Sequence, residues 1–294
     1  PLDAVRKMLV LRDYQEAVTY SFVEAGWELD LCGNATPVAL ENPIASQMSV
    51  MRSSLLGGLL DALHTNLARR HPRVRLFEVG GCFSAVPGGY AQQDRLGGVA
   101  YGTALSEQWG AAARNVDFFD VKGDVESLFS PSSLTFAAKA HPASHPGRSA
   151  QILRNGQVIG WIGELHPQWM QKYDFPQPVV WYEMDLAALM QAGVPVAGEV
   201  SRFPPVRRDI AVVADETLAV QSLLDAMKGA KAPGVCEIAL FDLYRGKGVE
   251  EGKKSLAFRV LLQDTQKTLT DFEIDQSVAR LVAVLQEKGA QLRM

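Results

Sequence analysis

The sequence predicts an α+β protein in two parts: a large antiparallel sheet with helices, then a small unit of order βαββαβ. Three observations carry this. Several runs in the first part alternate apolar and polar residues, and two of them flank Asn155-Gly156, a strong signal for a two-residue hairpin. In the second part strand-like and helix-like periods follow one another in the order named. Between the two lies GVPVAGEVSRFPPVRRD, in which Gly193, Pro195, Gly198, Pro204 and Pro205 disfavour regular structure, so the boundary is placed near Gly198, giving domains 1–198 and 199–294.

In the first part, a short helix ending near Arg12 leads into an alternating strand, Glu16 to Phe22. After the turn at Asn42-Pro43, Leu56, Leu59, Leu63 and Leu67 mark one face of a helix from Leu55 to about Arg70, with Ser53 or Ser54 as its cap. Arg73 to Phe83 and Arg95 to Thr103 read as long strands flanking a loop rich in Gly and Pro. Phe118 to Phe129 is helical. Gln151 to Arg154 and Gln157 to Leu165 form the hairpin, and Val179 to Asp185 closes the sheet before a last helix.

In the second part, Asp209 to Val213 is a strand, Val220 to Met227 a helix with Leu223, Leu224 and Met227 on one face, and Val235 to Tyr244 a second strand. From Ser255 to Gln263, Leu256, Phe258, Val260 and Leu262 alternate with more polar positions, the period of a half-buried strand. Thr270 and Glu273 form a capping-box pattern ahead of Ile274, Val278, Leu281 and Leu285, and Gly289 ends that helix. Ala290 to Arg293 supplies a short edge strand. The layout is ferredoxin-like, with both helices on one face of an antiparallel sheet.

Composition narrows the function classes. No run approaches the roughly 20 apolar residues of a membrane helix, and PLDAVRKMLV lacks the layout of a signal peptide, so a cytoplasmic protein is expected. The chain opens on Pro1 in what reads as helix, so it is expected to be a piece of something longer. Cys32, Cys82 and Cys236 are far apart with no CxxC pair, which excludes a disulfide framework or a cysteine zinc site and leaves core thiols. Net charge is −4, unlike a protein that coats nucleic acid by bulk electrostatics. The acidity belongs to residues 1–198, with 15 basic and 19 acidic side chains; residues 199–294 carry 14 of each, the cations clustered at Arg202, Arg207, Arg208 and at Arg245, Lys247, Lys253, Lys254.

No catalytic set emerges. His141 and His145 stand before prolines, which disfavours the helix an i,i+4 metal pair needs, so they and His166 read as turn punctuation. Asp117, Asp120 and Asp124 could bind a divalent ion but fit the polar face of an amphipathic helix more simply. There is no GxxxxGK[ST] phosphate loop.

A different set suggests RNA. The strand end Asp242-Leu243-Tyr244-Arg245 faces the strand start at Ser255 across a basic, glycine-containing loop. Unpaired bases are read by stacking on an aromatic ring while short polar groups meet the base edge. Tyr244 offers the ring, Asp242 an acceptor for a guanine's N–H groups, Ser255 a donor or acceptor, and Arg245, Lys253 and Lys254 phosphate contacts. Tyr244 serves equally well as an edge-strand core residue on this reasoning alone.

The stretches SRFPPVRRDIAVVADE and LFDLYRGKGVEEGKKSLAFRVLLQDTQKTLTDFEID resemble the C-terminal anticodon-binding domain of bacterial phenylalanyl-tRNA synthetase β subunits. Upstream, YQEAVTYSFV, ENPIASQMSVMRSSLLGGLL, VRLFEVGGCF, FFDVKGDVESL, HPGRSAQI and IGWIGELHP resemble, in order, that family's region shaped like a class II synthetase core. The resemblance implies an α2β2 heterotetramer in which the α subunit, with ATP and Mg2+, makes phenylalanyl-adenylate and charges tRNA(Phe). The β core is implied to be a non-catalytic relative that packs against it. Active class II cores carry ATP-gripping arginines; here Ser84 follows Phe83, no arginine appears before Arg95, and VVWYEMDLAALM has neither glycine nor arginine.

By the same resemblance, Asp242, Tyr244 and Ser255 match the anticodon-recognising positions. Arg207 and Arg208 either steer the tRNA backbone or brace the interdomain linker. Two other readings make different predictions. A free-standing ligase that itself binds ATP predicts thermal stabilisation by the nucleotide, and a structural module that binds protein predicts tRNA affinity indifferent to Tyr244→Ala. The first part is also expected to expose an apolar face, because a helix over Leu2 to Arg12 is read as lacking anything to pack on.

Overall fold

The computed structural model describes residues 1–130, 132–191 and 197–293. The chain divides into two compact units, Pro1–Pro195 and Val196–Met294.

The first unit is built on a seven-stranded sheet. Its strands are β1 (Gln15–Glu16), β4 (Val74–Val86), β5 (Gly89–Tyr101), β6 (Thr135–Ala138), β7 (Ser144–Arg154), β8 (Gln157–Leu165) and β9 (Val180–Asp185). The order across the sheet is β1-β4-β5-β9-β8-β7-β6, antiparallel except for β1 against β4. A small pair, β2 (Phe22–Val23) with β3 (Val50–Met51), stands apart from it. Side chains alternate across a strand, and here each face has its own cover. Val180, Tyr182 and Met184 pack on one side with α1 (Leu2–Val10) and α4 (Phe118–Phe129), while Val179 and Trp181 pack on the other with α2 (Ala25–Cys32) and α3 (Leu56–Ala68).

Several expectations are corrected. The residues between Glu16 and Phe22 do not form one strand; only the ends pair, and Thr19 instead donates its backbone N–H and its hydroxyl to Glu78. The Gly- and Pro-rich stretch after Phe83 is mostly strand, because β4 and β5 stay paired out to Val86 and Gly89 around a turn at Pro87-Gly88, where Gly88 has φ +83°. The N-terminal helix is not left unsupported: Leu9 is fully buried in the core, Arg6 pairs with Glu16, and Arg12 pairs with Asp124. Val10 and Leu11 remain exposed. Leu55 takes the cap position of α3 and Ser53 does not cap it, but Ser54 Oγ accepts from Leu56 N at 3.0 Å; Glu183 of β9 reaches over, accepting from Leu55 N at 2.7 Å and Ser54 Oγ at 2.6 Å.

Most buried charges in this unit are paired with an opposite charge; Glu28 instead accepts from Ser53 and Asn34. Arg52 and Glu78 meet at 2.9 Å, each side chain only 3% exposed. Asp124 accepts from Arg75, Arg12 and Tyr14. Asp117 and Asp120 form the capping box of α4, and Arg114 grips Asp120, so all three aspartates serve structure. Among the described residues no cluster of His, Cys, Asp or Glu could hold a metal ion, and no helix is long and apolar enough to cross a membrane. The histidines cap turns: Nδ1 of His141, His145 and His166 accepts the backbone N–H of Ala143, Gly147 and Gln168.

The second unit has strands β10 (Val206–Asp215), β11 (Val235–Tyr244), β12 (Lys253–Leu262) and β13 (Gln291–Leu292), ordered β11-β12-β10-β13 and antiparallel throughout. After α5 (Pro167–Lys172) and α6 (Leu186–Met190) of the first unit, helices α7 (Val220–Gly229) and α8 (Asp271–Glu287) pack Leu223, Met227, Ile274, Leu281 and Leu285 against Ile210, Val212, Leu256, Phe258 and Val260. Thr270 and Glu273 complete the capping box of α8. One face of the sheet is thus covered by helices and the other is left open.

Candidate nucleic-acid interface

Strict alternation along β11 would fail to build the site. Ile238 and Leu240 face the core, opposite Val260 and Phe258, so an unbroken period of two would also turn Asp242 and Tyr244 inward. The register shifts between Leu240 and Asp242, and this bulge at Phe241 resets the phase. Asp242 then lies opposite Ala257 and Tyr244 opposite Ser255, on the open face.

Two rows cross all four strands there. Tyr244, Ser255, Val213 and Gln291 form one; Asp242, Ala257 and Ala211 form the next, ending at Arg293, whose backbone N–H donates to Ala211 O. Alanine and valine make a low floor between Tyr244 and Asp242 on one side and Arg293 on the other. The Arg293 guanidinium donates to Ser255 Oγ at 3.1 Å and lies over the Tyr244 ring at 5.8 Å. Tyr244 Oη donates to Lys247 O at 3.3 Å, and Gly246 permits this, since a Cβ there would meet Tyr244 Oη at 2.8 Å. The ring is held by its hydroxyl edge, and Tyr244 as a whole is 39% exposed.

The sequence-predicted residues therefore separate. Asp242, Tyr244 and Ser255 come together, with Ser255 itself buried beneath Arg293. Arg207 stands farther along the open face, bidentate on Asp209 and 5.6 Å from the Phe241 ring. Arg208 alternates to the helix side, 3.8 Å from Asp271. Arg245 is clamped on Glu216, whose carboxyl it holds below the usual range. Lys253 pairs with Glu250 at 2.5 Å. Lys254 is buried on the core side with Nζ donating to Glu216 O, so it braces the loop instead of facing outward with the other cations. Sequence reasoning missed Arg293 and Phe241; their only signals were an arginine in the closing edge strand and an exposed aromatic beside Asp242.

The first unit has a cavity of about 350 Å³ on the α2–α3 side of its sheet, lined by Ser53, Ser54, Cys82, Arg95, His141, Trp161, Trp181 and Glu183 among others. A triphosphate needs uncompensated donors. Arg95, the one Lys or Arg among the lining residues described, is paired with Glu183 at 2.5 Å. His141 lies between Trp161 and Trp181, with ring centroids at 4.8 and 4.9 Å. Burial first, and the Arg95 charge second, bring its pKa down to about 4. These residues do not fit ATP.

The same depressed pKa predicts a pH effect. Between pH 6.5 and about 4 the unfolded chain protonates this imidazole while the folded one keeps it neutral, so stability falls as pH falls through that window. Chemical denaturation of wild type and His141→Phe should show the wild type losing more stability across it; a pH-independent difference would contradict this placement of His141.

Comparison with known proteins agrees with this architecture. Residues 2–186 match the family described as the phenylalanyl tRNA synthetase beta chain CLM domain, and residues 201–293 match the ferredoxin-fold anticodon binding domain. The phenylalanine–tRNA ligase beta subunit of Nitrosospira multiformis is 53% identical over 98% of this chain and 37% of its own length. That of Dechloromonas aromatica is 53% identical over 100% of this chain and 38% of its own. The chain thus spans under two fifths of the length of these relatives. A solved pyrrolysyl tRNA synthetase from Desulfitobacterium hafniense overlaps 64% of each chain at 15% identity and TM-score 0.46, too loose a likeness to weigh further. With matches covering both of its units, the chain belongs to the phenylalanyl-tRNA synthetase β-chain family and carries that family's ferredoxin-fold anticodon-binding domain.

Proposed function

We propose that this chain serves a phenylalanine–tRNA ligase in two ways: its second unit binds the anticodon loop of tRNA(Phe), and its first unit is scaffold for the catalytic α subunit of an α2β2 enzyme. The observation that supports the first role is the open-face cluster of Tyr244, Ser255, Asp242 and Arg293. It offers a ring for stacking, a carboxylate acceptor for a guanine edge and a guanidinium for phosphate or base, all on a low floor of small side chains. Adenylate chemistry, with ATP and Mg2+, belongs in this reading to the α subunit, since the cavity of the first unit is lined by a compensated arginine and a neutral histidine. Exposed apolar residues of the first unit, including Val18, Trp109 and Phe119, supply surface for a partner.

Hydrogen–deuterium exchange with the anticodon stem-loop tests the RNA role. Slowed exchange is expected in the peptides around Tyr244 and Arg293, with the Val220–Gly229 helix on the opposite face unchanged. Protection confined to the helix side would place the RNA elsewhere.

A further inference from the structure

Resting on the reading that the open face holds an anticodon loop, we infer that Phe241 and Arg207 form a second base-stacking station, taking an unpaired nucleobase different from the one on Tyr244. The bulge that aims Asp242 and Tyr244 outward leaves Phe241 as its extra residue, 48% exposed and outside the apolar cluster that binds β11 to the helices. A large aromatic ring in that position adds little to the core. It lies under the Arg207 guanidinium, as Tyr244 lies under Arg293. The open face thus carries two aromatic–arginine pairs, and both ring and guanidinium plane are surfaces on which unpaired bases stack.

Their spacing determines what can occupy them. Three residues along a strand put the Cα atoms of Phe241 and Tyr244 up to about 10 Å apart, whereas stacked nucleotides in one strand rise about 3.4 Å each. Two bases stacked on each other cannot fill both stations. A loop with its bases splayed apart can, which selects single-stranded RNA over a helical segment. The pairing of Arg207 with Asp209 sets the guanidinium plane that would cover the second base.

The test uses the full chain and anticodon stem-loop RNAs that each carry one 2-aminopurine at a different loop position. Stacking quenches this base. Two positions should be quenched on binding: Tyr244→Ala should restore the fluorescence of one, and Phe241→Leu that of the other, with affinity reduced about 5- to 150-fold by each. Phe241→Trp should keep both quenched, and unchanged circular dichroism of the leucine variant guards against a folding defect. Quenching at a single position, lost in Tyr244→Ala and untouched by Phe241→Leu, would overturn the second station while leaving anticodon reading intact. Absence of quenching at every position would overturn both.

Discussion

Replacing Arg52 by Met is expected to destabilise the first unit by about 3–5 kcal/mol, the range for removing one partner of a buried ion pair. The magnitude follows from what is left behind. Glu78 is 3% exposed at its side chain and accepts from Arg52 Nη1 as well as from the Thr19 backbone and hydroxyl. Arg52 also ties Gly81 O and Thr19 Oγ1, so its loss unpins the irregular segment before β2. Without the cation, Glu78 must stay charged in a dry site or take up a proton. Urea denaturation followed by tryptophan fluorescence should show the loss, and pairing the change with Glu78→Leu should recover part of it, because the stranded charge is then gone. A single variant as stable as wild type would mean water reaches this pair.

The second large effect concerns RNA. Tyr244→Ala removes the ring and releases Arg293, and is expected to weaken binding of tRNA(Phe) by about 1–3 kcal/mol, the worth of one stacked base. Tyr244→Phe keeps the ring and loses only the bond from Oη to Lys247 O, so most affinity should remain. Filter binding of the two variants separates these contributions. Equal losses would assign the effect to the loop conformation that the hydroxyl holds.

Where local chemistry decides structure, the sequence was readable. Helix α4 runs from Phe118 to Phe129 as its period implies, and α8 begins at the Thr270–Glu273 capping box. The hairpin turn at Asn155-Gly156 has φ values of 52° and 79°, both positive as that dipeptide suggests. Alternation in β12 marks its core face correctly, because a central strand with one covered face has no freedom to slip. What stayed hidden depends on distant partners. The capping of α3 by Glu183 links residues 128 apart in sequence, and the Arg293–Ser255 contact links residues 38 apart. Nothing in FDLY announces a bulge; it reconciles inward Leu240 with outward Asp242 and Tyr244 across one register shift. Lys254 looked like a phosphate ligand beside Lys253, yet adjacent strand residues point to opposite faces, and only Lys253 reaches solvent.

In this proposal the open face of the second unit reads bases and does more than attract phosphates. Its most direct test is binding of the full chain to tRNA(Phe) and to the same tRNA with an altered anticodon, over a series of salt concentrations. Tighter binding to the natural anticodon is expected at every salt, with parallel salt slopes, because base contacts add affinity without releasing further counterions. Equal affinity for both tRNAs, weakening steeply with salt, would contradict it and leave only phosphate contacts.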